Sequence, residues 1–277
     1  MKEQSLPKGT WRLIVDGAAP GSWNMAVDEA IARMAGEGRV PPTLRFYAWA
    51  PPCISLGRHQ PLADVDVERA RAAGVDIVRR PTGGRAILHA EEITYSVAGP
   101  ADEPRLRGRV LDCYLRLSEA LTRGLELLGV HVYKADASAR AGPDAGPACF
   151  EVPSAYEILT ADGRKIVGSA QVRRRGWVLQ HGAIPLRGDV SRLVDFLALS
   201  PAERARQKTA LAARAVSVEG ALGRPVSFAE AVEALARGFA QTLHVEFVPG
   251  ELTPEEVDLA RELEREIYAD PEWLQRV

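Results

Sequence analysis

The sequence predicts an α/β (α+β) fold, with strands and helices interleaved along one chain. Three observations carry this. Two alternating runs, residues 155–160 and 165–172, flank the dipeptide Asp162-Gly163. That is the strongest short-range hairpin signal, because a two-residue type I′ turn needs positive φ at both central positions. Apolar residues from Val110 to Leu128 recur at helical spacing. Short strand-like runs and capped helices fill the remainder, with no internal repeat and no low-complexity tract.

The elements follow in order. Residues 11–16 read as a strand. A helix opens at Asn24, a candidate N-cap, with Asp28 and Glu29 in a first turn that the helix dipole favours. Residues 43–49 form a strand that Pro51-Pro52 ends. Residues 53–57 form another, followed by a helix over 67–73 and a strand over 75–79. Runs 85–89 and 93–97 are strand-like. The leucine-rich helix from Val110 is core packing. After a third central strand, 177–184, come a segment at 193–199 and helices near 201–214 and 227–243. Ser227 with Glu230 and Thr253 with Glu256 have capping-box spacing, the latter with Pro254 at the first helical position. The chain divides into a main domain, 1–250, and a helical extension, 251–277, packed on it.

Composition narrows the function. The net charge of −2 provides no global field for nucleic acid or membrane, so neither is expected as a partner. The three cysteines, Cys53, Cys113 and Cys149, form no CxxC pair, which points to reduced thiols in a cytosol and against a disulfide frame or zinc. The start, MKEQSLPKGT, has no apolar signal core, and no apolar run approaches the ~20 residues a membrane span needs. A cytoplasmic protein is expected.

Two stretches carry candidate chemistry. In the second strand of the hairpin, Lys165, Val167, Ser169 and Gln171 share one face and Ile166, Gly168, Ala170 and Val172 the other. Glycine inside a strand marks close approach by a ligand or another backbone, and a tightly packed hairpin explains the pattern equally well. A lysine beside a tight turn reads first as solvated. In the second stretch Arg79, Arg80, Thr82, Gly83 and Gly84 fall within six residues, where glycine N–H groups can cradle an anion or carbonyl. His89 and His181 sit in strands, where a lone histidine is more often structural than basic. Cys53 and Cys113 read as core. Cys149 follows a Gly/Pro/Ala loop and is as suited to reactivity as to burial. No His/Asp/Glu set has metal spacing.

In order, NMAVDEAI (24–31), RRPTGGRAILH (79–89) followed by TYS, PSAYEI, GRKIVGSAQ and LQHGAI resemble the lipoate/octanoate protein ligase and transferase family over roughly residues 11–250. The resemblance implies a mixed, largely antiparallel β-sheet flanked by helices, of the biotin/lipoate protein ligase kind. It implies an acyltransferase catalytic domain that places an octanoyl or lipoyl group on one lysine of a lipoyl carrier protein. Lys165 then contacts the acyl carbonyl, and Arg79, Arg80, Thr82, Gly83 and Gly84 line the acyl pocket. His89, Gly168, Ser169, Ala170 and His181 complete the substrate-binding set.

Within the family two chemistries compete. ATP-dependent ligases usually carry three consecutive glycines and a further C-terminal domain; here Arg85 replaces the third glycine and only a short stretch follows Val248. The ACFEVPSAYEI context of Cys149 resembles the branch that acylates the glycine-cleavage H protein through a cysteine thioester. By that resemblance Cys149 is the nucleophile, octanoyl-acyl carrier protein the donor and the H protein the acceptor, with no cofactor and no metal. Lys165 is expected to lower the thiol pKa from its ordinary 8.5. An ATP-dependent lipoate ligase, an octanoyl amidotransferase between lipoyl domains, and a silent acyl-binding relative remain alternatives. The arginines at 79–80 and 173–175 are candidates for attracting acidic carrier proteins; a solvated turn explains the second group as well.

Overall fold

The computed structural model describes residues 6–135 and 157–277. Its main element is a six-stranded sheet of β1 (Gly9–Ala19), β2 (Thr43–Trp49), β6 (Glu92–Pro100), β9 (Gly168–Arg174), β10 (Trp177–Pro185) and β11 (Val245–Pro249). The order is β11-β1-β2-β6-β10-β9. β1 runs parallel to β11 and β2; every other pairing is antiparallel. A three-stranded sheet pairs β3 (Cys53–Leu56) with β4 (Asp76–Arg79) and β5 (Ile87–His89). A two-stranded one pairs β7 (Val132–Lys134) with β8 (Ile158–Thr160).

Strand period two divides the core. In β2 and β6, Leu44, Phe46, Tyr95 and Val97 face α3 (Val110–Leu127) and α6 (Phe228–Leu243). Tyr47, Trp49 and Ala98, on the alternate face, meet α1 (Gly21–Gly36) and α7 (Pro254–Leu263). The three-stranded sheet packs instead on the 3₁₀ segment Val190–Phe196 and α4 (Pro201–Arg214). Among the described residues no helix is long and apolar enough to cross a membrane.

The C-terminal helices are fastened by buried charge. Glu256 fills its capping-box role beneath Thr253 and also takes a two-pronged ion pair from Arg12 of β1 (2.7 and 2.5 Å). At α6 the box is half made: Ser227 accepts from the Glu230 N–H, while the Glu230 carboxylate pairs with Arg224.

Four expectations need correction. α1 starts at Gly21 after Pro20, so Asn24 is not its cap. Asn24 lies inside the helix, donating to the Ala19 and Ala48 carbonyls where the β1–β2 register slips. Val110 and Leu111 are exposed rather than core. The turn at Asp162-Gly163 is not type I′: among the described non-glycine residues only His244 has positive φ, so Asp162 does not, while Gly163 sits at 83°. The Gly163 N–H donates to Thr160 O and the Thr160 N–H to Arg164 O, a three-residue loop closed by a left-handed glycine. The hairpin itself is one bridge long, Leu159 to Lys165. The backbone of Lys165 pairs next with residues 214–216, and β9 starts only at Gly168, in a different sheet from β8.

Candidate active site

A narrow pocket lies between the two larger sheets. β9 and β10 supply one wall in register, Gly168 opposite Ala183, Ser169 opposite Gly182 and Ala170 opposite His181. Ser55, Ile87 and His89 of the three-stranded sheet, with Arg80 and Gly84, supply another. Met25, Tyr47, Trp49 and Thr94 close it. The strands pack tightly at Gly182. A side chain at Gly182 would put its Cβ 2.6 Å from the Gly168 carbonyl and 2.7 Å from the Tyr95 ring.

Several lining groups are polar, yet each is bonded to the protein. His89 stacks on Trp49 with centroids 4.0 Å apart. Its Nδ1 lies 2.7 Å from Glu92 Oε1 and its Nε2 2.7 Å from Ser55 Oγ. A carboxylate only accepts, so Nδ1 carries the proton and Ser55 donates to Nε2. Glu92 Oε1 also accepts from Thr94, which in turn accepts from the Trp49 indole. Across the cavity His181 repeats the pattern, with Nδ1 3.2 Å from Asp28 Oδ2 and Nε2 2.7 Å from Thr82 Oγ1. Ser169 bonds the Tyr95 hydroxyl, to which Gln180 donates. The pocket therefore presents carbon to its contents.

Asp28 is the hub of the His181 side. It accepts from Arg45, Tyr47 and Ser96, each at 2.8 Å. Burial pushes its carboxyl upward, but hydrogen bonding from His181 and the Arg45 charge outweigh this and hold it below the usual range. Burial pushes His181 down, opposed by Asp28 and aided by the charge of Arg80, so the ring is neutral at pH 7.

Arg80 organises the glycine loop. It donates to the backbone carbonyl and hydroxyl of Ser55 and to the carbonyls of Gly83 and Arg85 (2.7–3.2 Å). Arg79, expected beside it in the pocket, is absent from the lining. On the opposite side of β4 it donates to the carbonyls of Gly57, Gln60, Trp273 and Leu274, binding the C-terminal α8 (Pro271–Gln275) to the β3–β4 edge. Gly83 serves as an acceptor for Arg80, and Thr82 reaches the cavity only through His181.

Lys165 is not solvated. It is buried, and its Nζ lies 2.6 Å from Glu157 Oε1. It stands outside the cavity wall, three residues before Gly168. Ile166 packs into the core against the α3–α6 layer. Cys149 lies outside the described residues. Burial pushes the Cys53 thiol well above its ordinary value and raises Cys113 as well, so neither is poised as a thiolate. In the 173–175 group, Arg173 donates to the carbonyls of Ala101 and Leu106, while Arg174 and Arg175 are exposed. Among the described residues no cluster of three or more His, Cys, Asp and Glu could hold a metal ion.

Sequence reasoning missed Asp28, Ser55, Glu92, Tyr95 and Glu157. An acid within an otherwise apolar helical run was a legible sign for Asp28; Ser55, in a four-residue strand, gave none.

Comparison with known proteins adds to this geometry. Residues 20–240 match the model of the lipoyl protein ligase A/B catalytic domain. The chain is 46% identical over 277 residues to an octanoyltransferase LipM of Moorella thermoacetica, covering 98% of this chain and all of the relative. It is 41% identical over 271 residues to an octanoyltransferase LipM of Brevibacillus brevis, covering 95% and 98%. Among solved structures it resembles a bipartite lipoate protein ligase of Thermoplasma acidophilum, with a TM-score of 0.82, 26% identity and coverage of 97% and 98%. It also resembles a lipoate-protein ligase A bound with ATP, with a TM-score of 0.76, 28% identity and coverage of 97% and 99%.

Proposed function

The chain belongs to the lipoyl protein ligase A/B catalytic-domain family, and on that premise we propose that it is a cytoplasmic octanoyltransferase of protein lipoylation. It takes octanoyl from octanoyl-acyl carrier protein and passes it through a Cys149 thioester to one lysine of a lipoyl carrier protein, the glycine-cleavage H protein. The observation that carries this reading is the carbon-faced cavity walled by the family's motif residues, in a chain 46% identical to an octanoyltransferase over its whole length. Burying a seven-carbon tail there is worth roughly 5 kcal/mol at about 0.8 per methylene.

The chemistry runs in two exchanges. The Cys149 thiolate attacks the donor carbonyl, its carbon–sulfur bond forms as that to the donor sulfur breaks, and the donor leaves as a thiolate that takes a proton from water. The two thioesters are nearly equal in energy, so no nucleotide is needed. The acceptor amine, deprotonated, then attacks the Cys149 thioester; the amide forms and the cysteine sulfur is released. The buried thiols of Cys53 and Cys113 support assigning the nucleophile to Cys149. Lys165, held by Glu157, is the cation for the thiolate and the developing oxyanion. Ile166 and Gly168 connect this cation to the pocket wall along the chain.

The test supplies purified protein with H protein and either octanoyl-acyl carrier protein without nucleotide, or free octanoate with ATP. The proposal expects one modified lysine with the first and none with the second. Pyrophosphate release with the second would make the chain a ligase. Transfer from an octanoylated lipoyl domain but not from the acyl carrier protein would make it an amidotransferase.

A further inference from the structure

Two guanidinium groups lie over the ring of Trp273 in α8. The Arg58 group lies 5.4 Å from the ring centroid and that of Arg276 5.1 Å. Partial burial, and then the charges of Arg174 and Arg276, push the Arg58 guanidinium below its ordinary range, against the opposing pull of Tyr268 and Glu29. Among the described residues none of the three has a carboxylate within 4.0 Å. The acids nearby are engaged, since Glu29 pairs with Arg33 and Tyr268, and Asp270 caps α8. Glu272, the acid within that short helix, is exposed. Glu29 acts on Arg58 but is shared with Arg33 and Tyr268, and like charges gathered with so little counter-charge carry a stability cost that an external anion would relieve.

The cluster adjoins the site. The Arg58 N–H donates to Thr82 O, and Gly57 lies so close to Gly84 that a Cβ there would meet its carbonyl at 1.9 Å. Gly84 lines the cavity, and Arg174 ends the strand whose first three residues do. A donor bound over Arg58, Arg174 and Arg276 is therefore next to the glycine loop. On a chain of net charge −2, such a local positive surface is selective.

We propose that Arg58 and Arg276, over the Trp273 ring, together with the exposed Arg174 at the end of β9, form the docking surface beside the glycine loop for the acidic carrier protein that delivers the acyl thioester. This rests on the octanoyl-transfer reading above. Guanidinium groups suit both carboxylates and the phosphodiester of a pantetheine arm, so the surface both steers the donor and points its thioester at the cavity. The second arginine group of the sequence thus contributes through Arg174, while Arg173 is held by backbone carbonyls.

The test compares the full-length protein with an Arg174→Glu/Arg276→Glu double variant, using octanoyl-acyl carrier protein and octanoyl-pantetheine as alternative donors. With the carrier donor at low salt, kcat/KM is expected to fall about 10-fold or more, because charge complementarity acts mainly on encounter. Added salt should slow the wild type and leave the variant nearly unchanged. With octanoyl-pantetheine, which lacks both the protein and the phosphate, the two proteins should agree. Equal loss with both donors would mean damage to the site and overturns the proposal. So does an unchanged carrier reaction, or a rise confined to the KM for the acceptor. A wild type inactive with both donors removes the function reading itself, and the docking surface with it.

Discussion

Two histidines face each other across the cavity with the same bonding pattern and different surroundings. His89 belongs to the small sheet, and its carboxylate, Glu92, accepts from the ring and from Thr94. His181 belongs to the large sheet, and its carboxylate, Asp28, accepts from the ring, an arginine, a tyrosine and a serine. One acid orients a ring. The other orients a ring and neutralises a buried cation, holding α1, β2, β6 and β10 together. The difference shows how a pocket made largely of polar residues remains apolar: each side exhausts its hydrogen bonds internally, at different energetic stakes.

Substitutions should separate the two sides. Asp28→Asn is expected to have the largest effect, about 3–5 kcal/mol by urea unfolding, because Arg45 loses its buried counter-charge. Asp16, one-third exposed, remains on Arg45 and places the loss at the lower end. Glu92→Gln should cost about 1–3 kcal/mol, the range for a disturbed buried hydrogen-bond set, since no fixed cation depends on it. Equal losses would mean that the two sides are equivalent after all. Thr82→Val and Ser55→Ala, each removing one hydroxyl from a histidine, should each cost about 1 kcal/mol.

Acid provides a gentler probe of the same asymmetry. The folded-state pKa of His181 is depressed, so the unfolded chain binds more protons between that value and the ordinary 6.5. Stability is fully present above 6.5 and falls as the pH drops through this window. A His181→Gln variant should show a flatter decline in Tm from pH 7 to 5 than the wild type.

Much of the frame was legible because it rests on local physics. The runs at 43–49, 53–57 and 75–79 and the capped helices at 201–214 and 227–243 all appear within a residue or two. What was not legible depends on partners distant in sequence. Arg79 and Arg80 are neighbours, yet strand alternation sends one to carbonyls 194 and 195 residues away and the other to the glycine loop. Alternation from 165 to 172 read as one strand because pattern cannot tell which sheet will take it. The segment around Ala215 captures Lys165 first, and the β10 strand takes the chain from Gly168. Part of each stretch, Arg80, Gly84 and His89 from one and Gly168, Ser169, Ala170 and His181 from the other, lines one cavity, which no spacing rule required.

The central claim is a fatty chain held on a sulfur. Intact mass of the full-length protein after incubation with octanoyl-acyl carrier protein, without acceptor, tests it most directly. The account predicts one octanoyl adduct, lost in neutral hydroxylamine and absent from Cys149→Ala. An adduct that persists in Cys149→Ala, or octanoylation of the acceptor by that variant at the wild-type rate, would contradict it.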